Sequence, residues 1–284
     1  MKANIFSLMI MITLLACGPS SSDDRRTDIQ SDSIQASGIT KQPKQREVKR
    51  EESIDSIRLD FALNDAFRIA QAELSSDHFT KQYELLPDDS SFTIGIEISI
   101  SKLFQDHEKY LLLRRHVPWA TYLGLYKLSE GKVEKCIERE QGGMTYLNDT
   151  IFDANGDGRK DFLVHWYPSS GCCRRDVYNV YLNQPDNGGF TKDYEFINPT
   201  FSPKERIIRG VQYGHPGEVG LYKYRWNGLQ VDTLEFIYPD ALVKGQFIKT
   251  RKPSYRPTGK DGVLLKAVPK EYHSIESYEW FADF

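Results

Sequence analysis

The sequence predicts a mainly β, antiparallel protein, a meander that is propeller-related or sandwich-like, led by one N-terminal amphipathic helix. Three observations carry this reading. Segments that alternate with period two and are rich in Tyr, Phe, Val and Ile recur between residues 92 and 238. Asn227-Gly228 separates two of them, the strongest short hairpin signal. A faint repeat is also present: "KYLLLRR…TYLGLYKL" is echoed about fifty residues later by "KDFLVHW…VYNVYL", and "VGLYKYRW" resembles the second half of each. Roughly 190 strand-rich residues leave room for about four such units, too few for a six- or seven-bladed wheel.

The elements follow in order. "LDFALNDAFRIAQAEL" (59–74) places Leu59, Leu63, Ala66, Phe67, Ala70 and Leu74 on one helical stripe, so a helix is expected there, packed on the sheet. Pro87-Asp88-Asp89 with Ser90-Ser91 then breaks the chain. Strands are expected at 92–100, 109–115 and 121–128, the last two joined around His116-Val117-Pro118-Trp119. Further strands are expected at 131–138, 145–152, 161–167, 177–182, 205–212, 219–226 and 229–238. After Asp240, Pro253, Pro257 and Pro269 interrupt the pattern.

The chain opens MKANIFSLMIMITLLACG. Lys2 gives a positive start, and the apolar run Ile5 to Leu15 is too short to span a bilayer comfortably, as in a signal peptide. Leu14-Leu15-Ala16-Cys17 resembles the lipobox of bacterial lipoproteins. The resemblance implies cleavage of residues 1–16, diacylglycerol on the Cys17 thiol, and anchorage of the mature protein to a membrane. Gly18, where Asp would mark inner-membrane retention, favours the outer membrane, and Ser20-Ser21-Ser22-Asp23-Asp24 resembles the acidic surface-export tether of Bacteroidetes lipoproteins. Residues 17–56, polar and almost free of aromatics, read as the lipidated cysteine and a disordered tether. Residues 57–284 read as a single β-rich domain.

Removal of the signal segment takes Lys2 and moves the formal net charge from −3 to −4. That mild acidity argues against a nucleic-acid partner. Cys136, Cys172 and Cys173 remain in the mature chain. In an oxidising compartment a structural disulfide is expected, from Cys136 to Cys172 or Cys173, with a strained vicinal Cys172–Cys173 bridge as the alternative.

"DANGDGRKDFLVHW" (153–166) carries the sharpest motif. Asp153, Asn155 and Asp157 alternate, Gly158 stands where a tight loop wants positive φ, and Asp161 closes the group. Hard cations such as Ca²⁺ take six to eight oxygen ligands, and side chains at alternate loop positions can supply them together with the Arg159 backbone carbonyl. An EF-hand is excluded because Val164 stands where that loop needs a bidentate Glu, and because "DFLVHW" reads as a strand rather than a helix. The nine residues 153–161 instead resemble the D-x-[DN]-x-D-G-x-x-D loop of FG-GAP and VCBS-type repeats, as in integrin α-subunit propellers. The resemblance implies a structural Ca²⁺ held by Asp153, Asn155, Asp157, Arg159 and Asp161 between two strands.

No G-x-S-x-G, H-E-x-x-H or P-loop is present, and the six histidines are scattered. "SSGCCRRD" (169–176) offers Arg174 and Arg175 to an acidic partner. The expected function is therefore that of a calcium-stabilised envelope lipoprotein, a non-enzymatic binding module for a protein or glycan partner. The alternatives are an inhibitor or immunity protein against a peptidoglycan hydrolase, since some periplasmic proteins with a single loop of this type resemble such inhibitors, and a carbohydrate-active envelope enzyme.

Overall fold

A computed structural model describes residues 45–88, 91–129, 132–171, 173–185 and 188–282. The expected signal segment, Cys17 and most of the tether lie outside the described residues.

The protein is mainly β; the described residues form three antiparallel sheets, each a meander in chain order. Helix α1 (Gln45–Ala72) leads into the first sheet. That sheet contains β1 (Phe79–Leu85), β2 (Ile94–Ser101), β3 (Lys109–Val117), β4 (Ala120–Ser129) and β5 (Lys132–Gly142). The second contains β6 (Met144–Phe152), β7 (Asp161–Pro168), β8 (Val177–Tyr181) and β9 (Tyr194–Ile197). The third contains β10 (Pro199–Ser202), β11 (Ile207–Val211), β12 (Leu221–Asn227), β13 (Gln230–Pro239), β14 (Phe247–Thr250) and β15 (Val263–Leu265). A short helix α2 (Tyr278–Ala282) follows.

Four hydrophobic cores show how these layers stack. Side chains alternate across a strand, so each sheet can bury both faces. Ile94, Ile96, Ile98 and Ile100 of β2, with Leu111 and Leu113 of β3, meet Leu59, Ala62, Ala66 and Ala70 of α1. The other face of the first sheet, with Leu112, Leu123, Leu125 and Ile137, meets Phe162, Val164, Trp166 and Val177 of the second. Leu163 and Val180, on the reverse of the second sheet, meet Ile208, Tyr222, Trp226 and Phe236 of the third. Val211, Leu221 and Ile237 on the last face are covered by Val268, Tyr272, Ile275 and Phe281 from the C-terminal segment. Strand β7 lies in the middle of this stack, which is why "DFLVHW" reads as a continuous apolar run instead of alternating. Each fully buried Ile, Leu or Phe in these cores contributes about 1.5–3 kcal/mol relative to exposure.

Two expectations about the chain's organisation change. Helix α1 begins at Gln45, so residues 45–56 are helical, where a disordered tether was expected. The stretch is polar, but Gln, Arg, Glu and Lys are strong helix formers, and polarity alone does not oppose a helix. Asn227-Gly228 does mark a hairpin, with one refinement: Asn227 pairs with Gln230, so the two turn residues are Gly228, at φ +61°, and Leu229.

Candidate functional site

The loop between β6 and β7 gathers the four predicted side chains. Asp153 caps its own loop. Its Oδ1 accepts the N–H groups of Gly156 (2.7 Å) and Asp157 (3.0 Å), and its Oδ2 accepts that of Gly158 (2.8 Å). Asn155 is buried. Its Oδ1 accepts the Asp157 N–H at 3.1 Å and its Nδ2 donates to Asp157 Oδ2 at 3.2 Å. Asp157 Oδ1 accepts the Arg159 N–H at 2.8 Å, and its Oδ2 takes the Arg159 guanidinium. Asp161 is 0% exposed. One of its oxygens accepts the Ala154 N–H at 2.8 Å and the other the Asn183 N–H at 2.9 Å.

The surroundings fix this loop from three sides. Gln105, between β2 and β3, donates to the Gly158 carbonyl and accepts the Lys160 N–H. Arg159 Nε donates to the Asn183 carbonyl beyond β8 at 3.0 Å. Arg206, just before β11, donates from Nε to the Gly156 carbonyl at 3.3 Å. Gly158 adopts φ +89°, as its place in the motif anticipates, and Gly156 also lies in the left-handed region at φ +74°. The requirement at Gly156 is stricter, because a Cβ there would come within 2.2 Å of the Pro203 carbonyl oxygen.

Burial pushes the Asp161 carboxyl up to about 6; the Asn183 and Ala154 amides oppose the shift, while the charges of Asp157 and Asp153 add to it. Burial is thus the main cost of ionising Asp161, with the neighbouring acids adding to it. As they stand, these oxygens are turned onto loop amides and onto Arg159. Among the described residues, no three His, Cys, Asp or Glu side chains surround a common point at which a metal ion would sit. The donor set is all oxygen, as a hard cation requires; Asp153 Oδ1 is taken by two amides, whereas Asp153 Oδ2 and both Asp161 oxygens each accept a single backbone N–H and keep a lone pair.

No family model matches the chain, and neither does any curated protein or solved structure.

The other expected positions are placed as follows. Cys136 on β5 is a free thiol, half-buried near Lys127 and Asp106, and burial raises its pKa. No bridge joins it to Cys173. Cys173 lies on the β7–β8 loop with its Sγ 3.9 Å from His215 Nδ1, a different neighbourhood. Cys172 lies outside the described residues. Arg174 is already engaged inside the chain, with Glu279 at 2.8 Å and Asp176 at 3.4 Å. Arg175 lies over the Tyr213 ring at 5.1 Å, and its buried Nε has no hydrogen-bond partner among the described residues. His165 donates its Nε2–H to Asp176 Oδ1 at 2.9 Å and stacks on Tyr178, a satisfied histidine in a packed setting.

Sequence reasoning missed the loops at one end of the third sheet. Tyr213, between β11 and β12, and Tyr255, between β14 and β15, stand exposed there beside Glu218 and Arg256. The only signal was a scatter of Tyr residues among prolines and glycines, with no fixed spacing.

Proposed function

We propose that the chain is a non-enzymatic binding module of the bacterial envelope, lipid-anchored through Cys17 and stabilised by Ca²⁺ at the 153–161 loop. The observation that carries the metal part of this reading is Asp161, a fully buried carboxylate whose pKa is raised to about 6 beside two further acids. A divalent cation bound there would favour the ionised form of this carboxylate. Asp153, Asn155, Asp157 and Asp161 would hold it with side-chain oxygens and Arg159 with its carbonyl; the ion's chemistry there is structural, neutralising the carboxylates between β6 and β7. Occupancy requires Asp157 to exchange the Arg159 guanidinium for the ion, so Arg159 acts as an internal counter-ion when no metal is bound.

Thermal melting in EDTA and in excess Ca²⁺ tests this. Saturation at about 100 times Kd stabilises by about 2.7 kcal/mol, which raises Tm by about 5–10 °C for a domain of this size. An unchanged midpoint, or an equal rise in Asp153→Asn/Asp157→Asn, overturns the site. Lipidation is tested separately by detergent partition, which the Cys17→Ser variant should lose.

A further inference from the structure

We propose that the loops at one end of the third sheet form a binding cleft for a short neutral oligosaccharide. The proposal rests on the binding-module reading but not on the calcium loop.

Two neighbouring cavities of about 530 and 570 Å³ open between the β11–β12, β13–β14 and β14–β15 connections. Each falls within the ordinary size range of small-molecule sites. They share Glu218, Tyr238 and Arg256. Arg256 Nη2 lies 3.7 Å from Glu218 Oε1, so this ion pair divides one chamber from the other.

The walls are tyrosine. Tyr213 is 43% exposed and Tyr255 is 87% exposed, on separate loops. Tyr238 and Tyr224 line the same chamber deeper in. The backbone is shaped to seat these rings: a Cβ on Gly220 would lie 2.4 Å from the Tyr238 ring, so glycine at 220 lets that ring lie against its neighbour strand. Arg256 itself has φ +47°, a left-handed conformation that costs a non-glycine residue about 1–2 kcal/mol. Strain of this kind persists where surrounding structure imposes it, and here it falls on the residue whose guanidinium reaches across the cleft.

The polar groups decide the ligand class. Glu195, Gln212, His215, Glu218 and Arg256 border the aromatic chamber. A hydrocarbon ligand would strip water from the carboxylates and the guanidinium without replacing its hydrogen bonds. A polyanion would meet Glu195 and Glu218. A sugar ring satisfies both demands: its C–H faces stack on tyrosine, and its hydroxyls donate to carboxylates and accept from Arg256 and Gln212. Two adjoining chambers suit more than one ring.

Isothermal titration of the purified full chain with cellotetraose, maltotetraose, laminaritetraose and N-acetylchitotetraose tests the assignment, each in Ca²⁺ and in EDTA. At least one should bind saturably, with Kd of about 1 mM or tighter. Tyr255→Ala and Tyr213→Ala should each weaken that binding at least tenfold, about 1.4 kcal/mol; the melting temperature should be unchanged in Tyr255→Ala, whose ring is 87% exposed, and lowered in Tyr213→Ala, whose ring packs against Arg175. The absence of saturable binding by all four sugars, or binding that survives the double variant, overturns the cleft. If all four sugars fail to bind while an identified envelope protein is retained by the full chain, the oligosaccharide assignment is refuted and the binding-module reading stands.

Discussion

Arg114 of β3 grips Asp149 of β6 across the first two sheets: its Nε lies 2.8 Å from Asp149 Oδ2, and a terminal guanidinium nitrogen meets the same oxygen. Tyr146 donates to that oxygen as well, and Glu97 holds the far side of the guanidinium at 3.3 Å. Arg114 is 9% exposed, so its charge has little water to fall back on. Replacing it with Met leaves Asp149 buried without its cation. Arg114→Met should cost about 3–5 kcal/mol in urea denaturation, and a second change, Asp149→Leu, should restore much of the loss. A cost below about 1 kcal/mol would show that water replaces the guanidinium freely.

Asp161 should make stability depend on pH in an unusual direction. Its folded pKa, near 6, lies above the ordinary value of 3.8 because burial opposes ionisation. The folded state therefore binds the extra proton between these values, and stability is full below pH 4 and falls as pH rises through 6. The shift corresponds to on the order of 3 kcal/mol. Calcium favours the ionised form and should flatten this fall. In Asp161→Asn the fall and its response to calcium should both vanish, against a constant loss of about 1–3 kcal/mol, because an amide N–H would face the Ala154 or Asn183 N–H. Melting curves from pH 4 to 8 for the two proteins, with EDTA and with Ca²⁺, read this directly.

Arg159 separates the metal reading from a purely structural loop. Its guanidinium occupies the Asp157 oxygen that a cation would use. Arg159→Ala should lower stability in EDTA by about 0.5–1 kcal/mol, since the pair is partly exposed. The same change should tighten Ca²⁺ binding by about fivefold, or ~1 kcal/mol, by removing the competitor. A loss of stability that is equal with and without calcium would point to a loop that needs no ion.

The two loop glycines should respond unequally. Gly158 has no atom within contact distance of an added Cβ, so Gly158→Ala bears only its left-handed φ, about 1 kcal/mol. Gly156 has the same backbone handicap and, in addition, the Pro203 carbonyl at 2.2 Å. Gly156→Ala should cost about 3 kcal/mol or more in chemical denaturation. Equal costs would mean that the Pro203–Glu205 turn moves aside easily.

Much of this architecture was legible in the chain. The strand segments from 92 to 182 stand where alternation and β-branched or aromatic residues place them, because most core-facing positions there are apolar, with Asn179 of β8 a buried exception. Strand β1 escaped because it is a sheet edge: "FTKQYEL" buries only part of Phe79, Tyr83 and Leu85 and pairs with β2 alone. The four-residue strands β9 and β10 are too short to show a period, and Asn198 at φ +48° alone separates them. The loop motif was legible as a set of residues and not as an arrangement. Spacing says that Asp153 and Asp161 are near one another; it does not say that Arg159 folds back onto Asp157, since that depends on Asn183, beyond β8, and on Gln105 from the first sheet. Arg256 and Glu218 lie 38 positions apart and meet only through the third sheet's turns, so no local pattern could pair them.

Every sheet runs in chain order, and each core joins only layers that follow one another along the sequence. The molecule can therefore assemble from its N-terminal end, one layer condensing on the one already made, without waiting for its last residues. A truncation before β10 should leave the helix and first two sheets competent to associate, with one apolar face, that of Leu163 and Val180, laid bare and prone to aggregate.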